Sequence, residues 1–272
     1  MMKFSTYHAH TTYCDGKNTA EEMILSAIEK GCPEIGFSGH SPLPGFSWPM
    51  SEEGVDEYFD EVSVLRDKYK DKIKVYIGIE QDLESVKIYL PFDYILGSNH
   101  VVSAGGIRVD VDGPIDFILE KIKTDFDADP YAYCEAYYQN TAKIYEKTKC
   151  DIIGHFDLVT KYIEKDPFFS ETDARYIKAR DLALEELLET PAVFEVNTGA
   201  ISRGYRTTPY PHTDVLEKIK AKGKPIVVNS DSHRADTVDF LINETAEKLI
   251  SEGFKCITSM DELLFYSKGV KR

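Results

Sequence analysis

Six of the seven histidines in this 272-residue chain lie at the ends of short apolar segments. They occur in the sequences His8-Ala9-His10, Gly39-His40, Asn99-His100, Gly154-His155 and Asp231-Ser232-His233. The apolar segments are rich in Ile, Val, Phe and Tyr and are bounded by Gly, Pro or Asp, which is typical of β-strands. A fold whose strands repeatedly end in a metal-binding residue type must bring those ends together, and this requirement restricts the possible topologies.

Seven such segments alternate with helical patterns along the chain. The predicted strands span residues 4–10, 34–40, 74–81, 94–100, 151–156, 192–197 and 225–231. Their near-continuous apolar character indicates strands that are covered on both faces, as in a parallel sheet with helical crossovers. An open doubly wound sheet is one possibility. A closed seven-stranded α/β barrel explains the histidines better, because its site lies where the carboxyl ends of all strands converge.

Local signals place several helices and turns. Thr19 and Glu22 form a capping-box pattern, and Gly31 is expected to end that helix. Asp129-Pro130 predicts a helix that continues to about Lys149. Further helices are predicted over residues 172–189 and 211–222 and after Ser259, and a hairpin turn is predicted at Asp112-Gly113. Since no linker or repeat is evident, residues 1–272 are interpreted as one domain.

The strand ends supply a large set of metal-binding residue types. His8 and His10 are two residues apart on a strand, so both side chains point to the same face, and Asp231 and His233 have the same spacing. The complete candidate metal-ligand set is His8, His10, Asp15, His40, Glu80, His100, His155, Asp231 and His233. Nine ligands exceed the needs of one ion and suit two or three. Mixed imidazole and carboxylate ligation fits Zn, Mn or Fe without choosing among them.

These residues and their order resemble the PHP (polymerase and histidinol phosphatase) superfamily. The resemblance runs from His8-x-His10 through Gly78-x-Glu80 to Asp231-x-His233, and the chain length resembles the L-histidinol phosphate phosphatase branch. It implies a distorted seven-stranded β/α barrel with a trinuclear metal centre at its carboxyl end. It also implies a division of the ligands: His8, His10, Glu80 and Asp231 on one metal, Glu80, His100 and His155 on the second, and Asp15, His40 and His233 on the third.

The expected chemistry is hydrolysis of L-histidinol phosphate to L-histidinol and inorganic phosphate, a step of histidine biosynthesis. Metal ions lower the pKa of bound water, so a metal-bridging hydroxide is the expected nucleophile toward a metal-bound phosphomonoester. Asp231, Glu80 and His233 are the candidate catalytic residues, with Asp231 also able to relay a proton. Arg203, Arg206 and Lys161 are the candidate substrate-binding residues, since cationic side chains bind phosphate.

Composition narrows the class of partner. The formal net charge of −15 offers no basic surface for nucleic-acid phosphates, so a small molecule is the expected partner. No apolar stretch of about 18 residues occurs and the first residues lack a signal-peptide pattern, so no membrane association is expected. Five widely spaced cysteines without a C-x-x-C pair suit a reducing cytoplasm. The oligomeric state stays open.

Other interpretations of the same residues are a phosphoesterase of this fold acting on nucleotides or other small phosphoesters, a metal-dependent amidohydrolase, and a non-catalytic metal-binding scaffold. The amidohydrolase class usually relies on a metal-bridging lysine at a strand end, and no strand end here carries one. The motifs G-x-x-x-x-G-K-[ST] and G-x-S-x-G do not occur, so the sequence indicates neither a nucleotide cofactor nor serine hydrolase chemistry.

Overall fold

The computed structural model describes residues 3–269. The strands are β1 (Glu34–Phe37), β2 (Lys74–Asp82), β3 (Tyr94–Ser98), β4 (Val101–Ala104), β5 (Ile107–Asp110), β6 (Ile152–Ile153), β7 (Val193–Asn197) and β8 (Ile226–Asn229). The helices are α1 (Ala20–Glu29), α2 (Glu52–Tyr69), α3 (Ile115–Asp125), α4 (Pro130–Thr141), α5 (Ile144–Thr148), α6 (Ala174–Leu188), α7 (Gly199–Ser202), α8 (Thr213–Ala221), α9 (Ile242–Ser251) and α10 (Met260–Lys268).

Six of the strands form one parallel sheet in the order β1-β2-β3-β6-β7-β8. Four strands, β1, β6, β7 and β8, are buried along their whole length. Helices cover the outer face of the sheet, and side chains fill its inner face. All neighbouring pairs are parallel, so the strands share one carboxyl-end edge. The predicted α/β class and curled, barrel-like sheet are confirmed, with six regular strands rather than seven.

The predicted first strand, residues 4–10, is the one that is not regular. The segment instead forms single parallel bridges, Thr6 with Ile35 of β1 on one side and Ala9 with Ser232 beyond β8 on the other. The Thr6 hydroxyl accepts a bond from the His8 N–H, which keeps this N–H out of a strand ladder, and it shares the His8 carbonyl with the Ser232 N–H. The segment therefore connects the two edges of the sheet without continuous pairing.

The helix predictions hold to within about two residues, except for the helix predicted to end at Lys149. Thr19 caps α1 with the predicted reciprocal bonds to Glu22, and Asp129 caps α4. The helix predicted to run to Lys149 is wrong as a single element, because the Lys143 N–H bonds to the Asn140 carbonyl three residues back. That tighter bond interrupts the α-helical pattern and separates α4 from α5.

The predicted hairpin turn at Asp112-Gly113 is also wrong. The antiparallel hairpin is formed by β4 and β5, and its two-residue turn is Gly105-Gly106, with φ angles of +58° and +88°. A tight hairpin turn of this kind requires positive φ at both central residues, which glycine adopts without steric cost. The hairpin carries Asp110 and the following loop toward the carboxyl edge of the sheet.

Helices pack on the outer face of the sheet. Tyr58 of α2 and Tyr137 of α4 are buried against the strands, and α10 closes the opposite end through Met260 and Leu263. None of the helices within residues 3–269 combines the length and apolar character needed to cross a membrane.

Candidate metal centre

The nine candidate ligands converge at the carboxyl edge of the sheet. Seven of them are buried: His8, His10, His40, Glu80, His100, His155 and Asp231. The other two, Asp15 and His233, have side chains that are 34% and 21% exposed, and they lie at the mouth of the site. The parallel strand order produces this convergence, since β2, β3, β6 and β8 all deliver their last residues to the same edge.

Glu80 lies at the centre of the cluster, with its two carboxylate oxygens facing different histidines. Oε1 lies 3.1 Å from His155 Nε2 and 3.6 Å from His100 Nε2. Oε2 lies 2.8 Å from His40 Nδ1 and 3.3 Å from His8 Nε2. A carboxylate with ligands on both sides can bridge two cations.

Asp231 has a similar division of roles. Its Oδ1 lies 3.3 Å from His10 Nε2 and 3.5 Å from His8 Nε2. Its Oδ2 accepts hydrogen bonds from Arg203 Nη2 at 3.0 Å and Asn197 Nδ2 at 3.2 Å. One oxygen therefore faces the ligand cluster, while the other is fixed by Arg203 and by Asn197 at the end of β7.

The ligand atoms fall into four overlapping groups, each within 4.8 Å. The groups are His10, Asp15, His40 and His233; His8, His155 and Asp231; His8, His10 and Glu80; and His40, Glu80 and His100. The division implied by the resemblance puts many of the same residues together. It differs for His155, which it places with Glu80 and His100, whereas the structure groups His155 with His8 and Asp231. It stays a prediction, because the overlapping groups allow several assignments.

Several buried polar atoms of this cluster make no hydrogen bond. They are His8 Nε2, His10 Nε2, Asp15 Oδ1, Glu80 Oε2 and His155 Nδ1. A buried polar atom without a partner is costly, and such atoms are rare in native proteins. Imidazole nitrogens and carboxylate oxygens are the donor set that Zn, Mn and Fe accept, so the residues present fit divalent metal ions.

The charges of the cluster depend on one another. Burial and the neighbouring His233 and His40 lower the pKa of His10 to about 3. Burial acts to raise the pKa of Glu80, but His40, His8 and His100 outweigh it and hold the pKa well below its usual value. Burial likewise opposes a charged Asp231, yet Arg203 and His8 hold its pKa well below the usual range. Unprotonated carboxylates and a neutral His10 are the forms that bind metal ions.

Two carboxylates that the sequence did not single out hold the histidines in place. Glu195 Oε1 lies 2.7 Å from His8 Nδ1, and Asp82 Oδ2 lies 3.1 Å from His100 Nδ1. Asp82 also accepts the backbone N–H of His100 at 2.7 Å. The only sequence signal for Glu195 is a charged residue in the middle of an apolar strand, where a side chain facing the barrel interior needs partners.

The three candidate substrate-binding cations occupy different positions. Arg203 borders the cavity above the cluster, where its Nη1 donates to the Asp231 carbonyl and lies 3.2 Å from His233 Nδ1. Lys161 lines an adjoining cavity, which also borders Asp15, Arg203 and His233, and it forms a 2.8 Å ion pair with Asp112.

Arg206 is buried and does not border the cavity. Its Nη1 donates to the carbonyl and the hydroxyl of Thr160, and its Nε lies 3.6 Å from Glu164 Oε1. These contacts join two loops, so the structure does not bring the Arg206 side chain to the metal cluster.

A cavity of about 270 Å³ opens directly onto the cluster. Seven candidate ligands line it, together with Trp48, Asp110, Asp112, Gly113, Leu158 and Arg203. The Trp48 ring packs edge-on against His40, with the ring centres 4.6 Å apart. Burial and the nearby Asp112 carboxylate raise the pKa of Asp110. The two acidic groups therefore lie on the same side of the cavity and repel each other.

Comparison with known proteins gives one family. The PHP domain family profile matches residues 6–199. A histidinol-phosphatase of Lactococcus lactis subsp. lactis is 28% identical over 266 residues, covering 92% of this chain and 91% of that protein. A histidinol-phosphatase of Bacillus subtilis is 24% identical over 263 residues, covering 89% and 97%. The crystal structure of the Lactococcus lactis histidinol phosphate phosphatase with zinc, L-histidinol and phosphate superposes with a TM-score of 0.73 at 24% identity, covering 97% of this chain and 98% of that one.

Proposed function

This chain belongs to the PHP domain family, and from that premise we propose that it hydrolyses L-histidinol phosphate to L-histidinol and inorganic phosphate. The observation that carries the proposal is the set of nine clustered ligands opening into a cavity that has an arginine and two aspartates on its walls. The names of the curated relatives support the same substrate.

The cluster would hold two or three divalent metal ions, with Zn, Mn or Fe as candidates. His8, His10, Asp15, His40, Glu80, His100, His155, Asp231 and His233 would supply the ligand atoms. When bound, such ions polarise phosphate oxygens and lower the pKa of water, which provides a hydroxide nucleophile near neutral pH.

Three residues of the chain would assist the reaction. Asp231 can accept a proton from the attacking water at Oδ1, because this oxygen makes no bond to Arg203 or Asn197. Glu80 holds histidines on both sides of its carboxylate. His233 is partly exposed at the cavity mouth and would act there as a metal ligand together with Asp15.

The two ends of the substrate have opposite charges, and the cavity matches both. Arg203 borders the cavity beside Asp231 and supplies a guanidinium for the phosphate. Asp110 and Asp112 line the same cavity. Because Asp112 is paired with Lys161, Asp110 would supply the negative charge for the ammonium group of L-histidinol phosphate. The face or edge of Trp48 offers an apolar surface for the imidazole ring.

Initial rates on Zn-, Mn- and Fe-loaded protein test the proposal. The panel contains L-histidinol phosphate, p-nitrophenyl phosphate, a nucleoside monophosphate and a phosphodiester. We expect kcat/KM for L-histidinol phosphate to exceed that for every other substrate by at least about 100-fold, since both charged ends contribute. A nucleotide or diester preference would overturn the substrate assignment, and metal binding without any turnover would overturn the catalytic one.

We further propose that the enzyme acts in histidine biosynthesis in the cytoplasm and that residues 1–272 form one domain. The five cysteines are free thiols, which fits a reducing compartment. Tyr7 from the first described segment packs in one cluster with Met260 and Leu263 of the last helix, which supports a single unit.

A further inference from the structure

Glu195 is a buried carboxylate that belongs to none of the four ligand groups. It lies in the middle of β7, its side chain faces the barrel interior, and it is 1% exposed. Burial of an isolated carboxylate is strongly unfavourable unless hydrogen-bond donors replace its hydration. Glu195 therefore requires several hydrogen-bond donors around it.

Four N–H groups surround the two oxygens of this carboxylate. Oε1 accepts bonds from His8 Nδ1 at 2.7 Å and Asn229 Nδ2 at 3.0 Å. Oε2 accepts bonds from the His155 backbone N–H at 2.7 Å and Asn197 Nδ2 at 3.0 Å. Because all four partners present N–H groups, the site suits an ionised carboxylate, and the imidazole of His8 must carry its proton on Nδ1.

With a proton on Nδ1, the His8 ring has only Nε2 free to bind a metal ion. Nε2 then faces Glu80 Oε2 at 3.3 Å and Asp231 Oδ1 at 3.5 Å, and it makes no hydrogen bond. Carboxylates that accept the second N–H of a ligating histidine fix its ring orientation and raise its basicity.

The same carboxylate joins the parts of the barrel that carry ligands. Asn229, which donates to Glu195, also accepts the Tyr7 backbone N–H through its Oδ1 at 2.7 Å. This side-chain bond fixes the irregular segment 4–10 beside β8, where a continuous ladder is missing. Glu195 thereby connects the segment that supplies His8 to β6, β7 and β8.

We propose that Glu195 is a positioning residue of the metal centre, which holds His8 with Nε2 directed at the metal and fixes the backbone that supplies His155. The proposal rests on the metal binding proposed above and is independent of the substrate. A glutamine cannot replace it, because an amide accepts on one oxygen only and its NH₂ group would face two N–H donors.

Glu34 provides a matched control at the other end of the barrel. It is also a buried glutamate on a strand, and it contacts the same chain segment by accepting the Tyr7 hydroxyl at 2.6 Å and the Met260 N–H at 2.9 Å. It bonds no candidate ligand, so Glu34→Gln tests the cost of losing a buried carboxylate without disturbing the metal centre.

The experiment compares wild type, E195Q and E34Q by zinc titration against a chromophoric chelator and by metal content after dialysis. We expect E195Q to bind the zinc that His8 ligates about 10- to 100-fold less tightly, seen as one weakened step of the titration, and E34Q to match wild type. Wild-type affinity in E195Q would overturn the proposal. If wild type itself bound no zinc, the proposed metal centre would fail instead, so the two failures are distinguishable.

A second measurement examines the wild-type protein rather than E195Q. Long-range ¹H–¹⁵N NMR of the zinc-loaded wild type reports which ring nitrogen of each histidine carries a proton, and the His8 signal is assigned by its loss in His8→Asn. A proton on Nδ1 of His8 is expected. A proton on Nε2, with zinc on Nδ1, would overturn the proposal.

Discussion

Asp231 illustrates how one side chain at this site serves two purposes. Its φ angle of +48° lies in the left-handed region, which a non-glycine residue adopts at some cost. That conformation accompanies an arrangement in which Oδ1 faces His8 and His10 while Oδ2 and the backbone carbonyl both accept bonds from Arg203. Arg203 therefore positions a candidate ligand as well as lining the cavity.

Replacement of Arg203 by alanine should impair catalysis strongly. The change removes a charge-assisted bond to Asp231 and a guanidinium on the cavity wall. Loss of such a bond costs about 1.5–3 kcal/mol, so kcat/KM should fall about 10- to 100-fold with a raised KM. Steady-state kinetics check this, with Arg175→Ala as a control because that arginine pairs with Asp129 and Glu135 on the surface. Unchanged kinetics in Arg203→Ala would contradict a role in phosphate binding.

Asp110 should set the preference for a cationic substrate. Asp110→Asn keeps the size of the side chain and removes a negative charge from the cavity wall. We expect KM for L-histidinol phosphate to rise about 10-fold, the loss of one moderate charge contact, and KM for p-nitrophenyl phosphate to stay within about 2-fold. Asp116→Asn, an exposed change on α3, controls for net charge. An equal effect on both substrates would show that Asp110 does not recognise the ammonium group.

At the scale of elements, the sequence predicts those features that depend on one side chain at one position. The Thr19 and Asp129 caps and the strand-end histidines are such cases, because side-chain chemistry at one position dictates the outcome. The irregular segment 4–10 is different, since its apolar pattern is that of a strand. Its backbone bonds instead to the Thr6 hydroxyl and to the distant Asn229 and Asn243 amides, and Asn229 is 222 residues from Tyr7.

Glu195 was beyond sequence reasoning for the same reason. Its four donors come from residues 8, 155, 197 and 229, so no short motif contains the site. Arg206 is a different case: its position near Arg203 in the sequence predicts a phosphate contact, whereas its side chain is buried against Thr160 and away from the metal cluster. Cationic type and sequence position do not specify the direction of a side chain.

The β4–β5 hairpin should depend on the conformation of Gly105. Its φ of +58° is unfavourable for a β-branched residue and tolerated by asparagine. Gly105→Val should lower the free energy of unfolding by about 1–2 kcal/mol. Gly105→Asn should lower it by less than about half of that amount. Urea denaturation measures both. Because this hairpin leads to Asp110, Gly105→Val should also raise KM for L-histidinol phosphate; equal stability of the two variants would contradict the turn geometry.

The whole molecule combines a net charge of −15 with carboxylates concentrated at one edge of its sheet. The candidate ligands come from residues 8 to 233, so the site joins the beginning of the chain to its last strand. Among the described residues, no regular ladder connects these two parts; a single bridge between Ala9 and Ser232 and the Asn229 amide do. Bound cations would therefore act as cross-links between the edges of the sheet, in addition to any part in catalysis.

Metal removal should consequently destabilise the protein rather than only inactivate it. A ligand that binds only the folded state at 1,000 times its Kd contributes about 4 kcal/mol, which corresponds to about 10 °C in Tm for a chain of this size. Calorimetry of chelator-treated and zinc-reconstituted protein measures the difference. Glu80→Gln should show a much smaller zinc-dependent shift, because Glu80 contacts histidines on both sides of its carboxylate, whereas E34Q should keep the full shift. Equal Tm values with and without zinc would mean that the barrel edges are held together by protein contacts alone.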